Sequence, residues 1–196
     1  MIITFEGGEG SGKTTQAALL KEYLEKQGRQ VVSLREPGGS NLSEYIRKLF
    51  LAHPMDSMTE LMLLLAARRN NISSVIMPAL DAGKTVVIDR FIDSTLVYQG
   101  IAGGLGIENV RNLMKMTGTL IEPDLTFLLD IDPAIAYSRF MPADRLETRG
   151  IETQKIIRQG FLDICRGKRH HVIDAEKPEE KVFEEIEKVI PPDFIT

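Results

Sequence analysis

The sequence predicts an α/β fold, a mostly parallel five-stranded sheet flanked by helices on both faces. Three observations point there. The candidate strands are continuous apolar runs, which suit strands covered on both faces rather than strands with one wet side. Strand and helix patterns alternate along the chain without repeats or linker-like tracts. Glu6, Arg35, Asp89 and Asp130 fall at the carboxyl ends of those runs, where open α/β sheets bind ligands.

Each element follows from local pattern. Met1–Phe5 is β-prone and runs into the glycine-rich Gly7–Gly12. Lys13–Lys26 has helical spacing, with Leu19, Leu20, Tyr23 and Leu24 on one side, and Gly28 stops it. Val31–Leu34 reads as a buried strand, and Glu36-Pro37-Gly38-Gly39 as a loop, because Pro and two Gly break regular structure. Leu42–Leu51 is a short amphipathic helix, and Thr59–Leu80 a long one bent at Pro78. Thr85–Ile88 is a strand ending at Asp89. Gly100–Gly106 holds four glycines and predicts a mobile loop. Glu108–Met116 predicts a helix, Leu125–Leu129 a strand ending at Asp130, and Pro133–Arg139 the start of another helix. Ile151–Arg166 returns to helical spacing, His171–Ile173 is a last short strand, and Glu179–Val189 a last helix, stopped by Pro191-Pro192.

Composition narrows the function. A chain of 196 residues, 43% hydrophobic, supplies one core, so residues 1–196 are expected to form a single domain. Lys plus Arg total 24 against 28 Asp plus Glu, a net charge of −4, which excludes a generic nucleic-acid or membrane-surface binder, both partners being polyanions. An anionic ligand therefore needs a local arginine cluster. The single cysteine, Cys165, allows no intrachain disulfide and fits a reducing cytoplasm. The longest apolar run, Leu61–Ala67, is too short to span a bilayer, and MIITFEGG lacks a signal-peptide pattern.

The chemistry begins at Gly7-Gly8-Glu9-Gly10-Ser11-Gly12-Lys13-Thr14, which matches G-x-x-x-x-G-K-[ST] between a strand and a helix. In such a P-loop the glycines let backbone N–H groups converge on phosphate oxygens, and the helix that Lys13, Thr14 and Thr15 open adds its positive dipole end. Lys13 supplies a point charge to the β- and γ-phosphates and Thr14 a ligand for Mg²⁺. The motif points to a nucleoside triphosphate and leaves the phosphoryl acceptor open. The GTPase strings N-K-x-D and D-x-x-G do not occur in the chain. Arg35, Arg47, Arg68, Arg90, Arg139, Arg145 and Arg149 stand where they can converge on one cleft, as bringing two polyanionic substrates together requires.

The strings FEGGEGSGKTTQ, REPGGS, TELMLLLAARRNN, DRFIDSTLVYQG, PDLTFLLDIDP and DRLE then carry a resemblance over most of the chain. In this order and spacing the sequence resembles bacterial thymidylate kinases. The resemblance implies the P-loop nucleoside monophosphate kinase fold with a short lid at about residues 139–150, ATP and Mg²⁺ as cofactors, dTMP as acceptor, and a cytoplasmic homodimer. It implies that Glu9 meets the acceptor's 3′-hydroxyl, that Arg47 and Arg90 clamp its monophosphate, and that Asp89 reaches Mg²⁺ beside the transferred group. It implies that Arg68, with Arg69 adjacent, reads the thymine carbonyl edge. Ser94, Thr95, Tyr98 and Gln99 would line the deoxyribose and base, and Arg35-Glu36-Pro37-Gly38 would shape the pocket. The P-loop carries no arginine, so the catalytic arginine is expected in the lid, with Arg139 and Arg145 ahead of Arg149. Cys165 and His170 are expected to be structural.

Two departures from the family pattern matter. Leu64 stands where an aromatic residue usually stacks on thymine, and Phe140 and Met141 stand in the lid where basic or small residues are common. Leu64 keeps open a kinase for another pyrimidine nucleoside monophosphate. A non-enzymatic nucleotide switch is the further alternative, and an arginine-rich acceptor pocket argues against it.

Overall fold

The computed structural model describes residues 1–139 and 150–191, so the expectations for Phe140, Met141, Arg145, Arg149 and Pro192 lie outside the described residues. Strands β1 (Ile2–Glu6), β2 (Val31–Arg35), β3 (Thr85–Asp89), β4 (Leu125–Asp130) and β5 (His170–Asp174) form one sheet in the order β2-β3-β1-β4-β5. Every pairing is parallel, with Phe5 opposite Asp89 and Glu6 opposite Leu128. β1 and β3 are buried throughout, as continuous apolar runs require. β2 and β5 are sheet edges, and in each only the fourth residue is buried, so Val31–Leu34 is an edge strand rather than the buried one its composition suggested.

Alternation across the pleat splits the core. On one face Ile3, Phe5, Val87 and Phe127 pack under α1 (Lys13–Lys26) and α9 (Glu179–Val189), with the Phe5 and Phe127 rings 5.4 Å apart. On the other face Ile2, Val86 and Ile88 meet α3 (Ser57–Asn71) and α6 (Ile107–Met116). Val97, Tyr98 and Leu128 form a third cluster with Ile157 and Phe161 of α8 (Ile151–Ile164). α2 (Asn41–Ala52) packs on α3, and α7 (Pro133–Arg139) on α8. Among the described residues no helix is long and apolar enough to cross a membrane.

Two local expectations change. The segment expected as one helix with a bend at Pro78 is α3, a π-helical stretch Ile72–Ile76, and α4 (Met77–Asp81). The distortion precedes Pro78 because the ring lacks an N–H and crowds the carbonyl four residues back. Gly100–Gly106 is not one loop. α5 (Ile92–Thr95) continues as a π-helical stretch, Leu96–Ala102, that contains Gly100, and residues 91–100 are all buried. A Cβ on Gly100 would stand 3.4 Å from the Ile107 Cα, so that glycine serves close packing against α6.

Candidate active site

The P-loop spans the gap between the central strand β1 and α1. Gly7 passes so near β4 that a Cβ there would lie 2.6 Å from the Leu129 carbonyl. Gly12 caps α1 with no side-chain acceptor, which leaves the first N–H groups of that helix free of a side-chain cap. Ser11 Oγ donates to the Gly8 carbonyl at 3.0 Å, and Lys13 Nζ donates to the same carbonyl at 2.6 Å and to Ser11 Oγ at 3.2 Å. Burial pushes the Lys13 ammonium down to about 8, with the Arg90 charge adding to it. A charge so poorly solvated is poised to exchange a carbonyl for a phosphate.

Thr14 Oγ1 donates to Asp89 Oδ2 at 2.5 Å, while the buried Asp89 Oδ1 has no hydrogen-bond partner. A hydroxyl and a carboxylate with one unspent oxygen are hard donors of the kind that suit Mg²⁺. These groups, Glu9–Gln16, Arg47, Arg90 and Arg139 line an open cleft of about 890 Å³, large enough for a nucleotide.

A second, smaller pocket, lined mostly by buried residues, adjoins the cleft. Glu9, Pro37, Leu64, Arg68, Arg90, Ser94, Thr95, Tyr98 and Gln99 line it, together with Glu36, Phe50 and Phe91. Arg90 is the one non-glycine among the described residues with a left-handed backbone, φ 67°, a conformation that costs about 1–2 kcal/mol. Its Nη2 lies 2.7 Å from Glu9 Oε1, and its guanidinium stacks over the Tyr98 ring at 5.1 Å. Tyr98 also donates to Glu9 Oε1 at 3.1 Å. Burial works to raise the Glu9 carboxyl, but the Arg90 and Lys13 charges outweigh it and hold the group below its ordinary value. Glu6, one residue before the P-loop, accepts from the Phe91 N–H at 2.9 Å and from Ser94 Oγ at 2.5 Å. Burial, with the Asp93 charge adding to it, pushes Glu6 up to about 7.

The pocket floor is an ion pair. Arg68 is 1% exposed, and its Nε donates to Glu36 Oε2 at 2.6 Å. Its Nη2 donates to the Phe91 carbonyl at 3.0 Å and to Thr95 Oγ1 at 2.8 Å. Arg69 is exposed, which settles which of the two arginines faces inward. Burial raises the Glu36 carboxyl against the opposing pull of Arg68. The loop that carries Glu36 is held by Asn71, whose Nδ2 donates to the Gly38 carbonyl at 2.7 Å and whose Oδ1 accepts from Ser43 Oγ at 2.8 Å.

Most expected residues therefore meet at one place, with exceptions. Arg47 lines the cleft and donates to the Pro37 carbonyl at 2.9 Å. Arg35 lines the cleft, half exposed and 3.5 Å from Glu44, and does not line the smaller pocket, because it follows the buried Leu34 and the pleat sends its side chain to the opposite face. Arg139 donates to the Ala175 and Glu176 carbonyls at 2.7 and 3.0 Å, which ties it to the turn after β5. Leu64 does line the pocket, but Phe50 and Phe91 bring rings to it that the sequence reading missed. Their signal was present: Phe50 shares the buried face of α2 with Ile46, and Phe91 follows Arg90 inside a quoted motif.

Cys165 and His170, expected to be structural, line neither the cleft nor the smaller pocket. They lie with Asp93 close enough to suggest a metal, but the group is closed on itself. Arg169 donates to both Asp93 oxygens at 2.9 and 2.8 Å. The Gly167 N–H donates to His170 Nδ1 at 3.1 Å, which leaves Nε2 to donate to Asp93 at 3.2 Å. Burial pushes the Cys165 thiol up, away from the thiolate a metal needs.

Comparison with known proteins agrees with this geometry. The family model described as thymidylate kinase matches residues 5–186. A thymidylate kinase from Symbiobacterium thermophilum is 41% identical, over 97% of this chain and 92% of its own length. One from Caldicellulosiruptor saccharolyticus is 42% identical, over 96% of this chain and 95% of its own. The crystal structure of thymidylate kinase from Ehrlichia chaffeensis superposes with a TM-score of 0.77 at 39% identity, covering 97% of this chain and 98% of that one. With a phosphate cradle joined to an arginine-lined pocket and a match over nearly its whole length, the chain belongs to the thymidylate kinase family.

Proposed function

We propose that the enzyme transfers the γ-phosphoryl group of ATP to the 5′-phosphate of dTMP, giving dTDP and ADP. The observation that carries this reading is the Arg90–Glu9 pair, 2.7 Å apart in the wall shared by the P-loop cleft and the smaller pocket. An acceptor monophosphate would meet Arg90 there, with Arg47 approaching from α2. Its 3′-hydroxyl would face Glu9, and its sugar and base would lie among Tyr98, Ser94, Thr95, Gln99, Leu64 and the Arg68 edge. The attacking oxygen is already anionic, so no strong general base is needed, and catalysis rests on alignment and on cancelling charge. Lys13 would turn from the Gly8 carbonyl to the transferred group, and Arg139 with the lid arginine Arg145 would add charge from the other side. Thr14 and Asp89 would hold Mg²⁺, which supplies further positive charge against the phosphates.

The same reading makes the enzyme a cytoplasmic homodimer acting on small molecules, with neither nucleic acid nor membrane as partner. Its support is the net charge of −4, the free Cys165, and the exposed apolar side chains Leu42, Tyr45, Leu49, Met58 and Met62 on the packed helices α2 and α3. The test is ADP formation with ATP, Mg²⁺ and each nucleoside monophosphate in turn. dTMP is expected to be the best acceptor, dUMP much weaker and purine monophosphates near background. Equal turnover of dTMP and dGMP would contradict the reading.

A further inference from the structure

We infer that Glu6 is a positioning residue for the acceptor site, locking from behind the left-handed turn that presents Arg90. The inference rests on the reading of Arg90 as the clamp on the acceptor phosphate. Glu6 is fully buried at the end of β1 and lines neither the cleft nor the acceptor pocket. Its carboxylate is nevertheless spent on the groups that flank Arg90.

Three consecutive residues grip that turn. The Phe5 carbonyl accepts from the Arg90 N–H at 2.9 Å. Glu6 Oε1 accepts from the Phe91 N–H at 2.9 Å, the next donor along the chain. The Gly7 carbonyl accepts from Arg90 Nη1 at 3.0 Å. The second oxygen of Glu6 holds Ser94 Oγ, which in turn accepts from Arg90 Nη1 at 3.4 Å. α5 starts at this point with no side-chain cap of its own, and the carboxylate from the neighbouring strand takes that part. A left-handed arginine persists only where its surroundings impose the conformation. Here they do, and because Phe5, Glu6 and Gly7 lead directly into the P-loop, the acceptor clamp and the phosphate cradle move as one piece. Removing the Glu6 carboxylate frees Phe91 and Ser94, and Arg90 loses the geometry in which it faces Glu9.

Steady-state kinetics with acceptor and ATP varied separately test this in Glu6→Ala, Glu6→Asp, Glu6→Gln, Arg90→Ala and the Glu6→Ala/Arg90→Ala double variant. Glu6→Ala and Glu6→Asp are expected to raise the acceptor KM roughly tenfold, the loss typical of a buried hydrogen-bonding group left without its partner, while the ATP KM stays unchanged. Glu6→Gln, whose side-chain carbonyl still accepts from Phe91, should remain near wild type. Glu6→Ala should add little on top of Arg90→Ala, because both act through one guanidinium. A packing role would instead multiply the acceptor KM by the same factor in both backgrounds or raise the ATP KM equally, and either result overturns the inference. So does a Glu6→Gln variant as impaired as Glu6→Ala. Should Glu6→Ala not fold, Glu6→Asp keeps the charge with one methylene less and decides the matter alone. An Arg90→Ala variant with an unaltered acceptor KM would bring down the underlying reading. An effect from Arg90→Ala with none from the Glu6 variants overturns only the inference drawn from it.

Discussion

Arg68 holds together the residues that line the smaller pocket. Its guanidinium is buried, and its bonds to Glu36, Phe91 and Thr95 fix the floor of the acceptor pocket before any base arrives. The guanidinium also lies over the Phe91 ring at 4.9 Å, so the ring that the sequence reading missed is held by the arginine that it named. Removing one partner of a buried ion pair strands the other, at a cost of about 3–5 kcal/mol. Arg68→Ala is therefore expected to lower the unfolding free energy by that amount in denaturant titration, and Arg69→Ala by less than about 0.5 kcal/mol, as an exposed surface change does. Equal effects would mean that the two arginines share the burial. Leu64 belongs to this scale as well. Its departure from the family's aromatic pattern is real, but the rings of Phe50 and Phe91 give the same pocket aromatic surface from other elements.

At the scale of elements, the acceptor pocket depends on a loop with no regular structure, held by a helix. Asn71, fully buried at the end of α3, bonds the Gly38 carbonyl and accepts from Ser43 Oγ and, at 3.2 Å, from the Ser40 N–H. Asn71→Ala takes this partner from the Gly38 carbonyl and the Ser40 N–H, while Ser43 Oγ can still donate to the Ala67 carbonyl. It should lower stability by about 1–3 kcal/mol and raise the acceptor KM, because the loop carrying Glu36 and Pro37 loses its anchor. Thermal unfolding with parallel kinetics measures both, and a variant as stable and active as wild type would refute the anchor. The P-loop was legible in the sequence because its function needs contiguous residues at fixed spacing. The helix Ile92–Ala102 was not. It is rich in β-branched residues, contains Gly100 and starts without a side-chain cap, so local propensity argues against it, and burial against α6 and α8 decides it. Asn71 and Glu6 were illegible for a related reason: each acts on a segment tens of residues away, and a single sequence carries no record of that pairing.

On the scale of the whole molecule, sheet order brings the phosphate cradle and the arginine-lined pocket together. β1 delivers the phosphate cradle, and β3, its hydrogen-bonded neighbour, delivers Asp89 and Arg90 one register step away. On the other side β4 ends at Asp130, which holds Arg158 of α8 through two bonds of 2.7 and 2.8 Å, so that helix is fastened to the same sheet. Parallel topology was readable from alternating apolar runs, and the ligand end from the charges that close them. The edge position of β2 was not, because which strands are edges depends on an order that no single strand records.

On the proposed function, one wall separates a donor site built on Lys13 from an acceptor site built on Arg90. The most direct measurement is calorimetric binding of dTMP and of a non-hydrolysable ATP analogue to wild type, Lys13→Ala and Arg90→Ala, with turnover measured alongside. Lys13→Ala should lose turnover by orders of magnitude while keeping dTMP affinity. Arg90→Ala should lose dTMP affinity while keeping that for the analogue. The reverse pattern, with Arg90→Ala weakening the analogue and sparing dTMP, would contradict the assignment of the two sites.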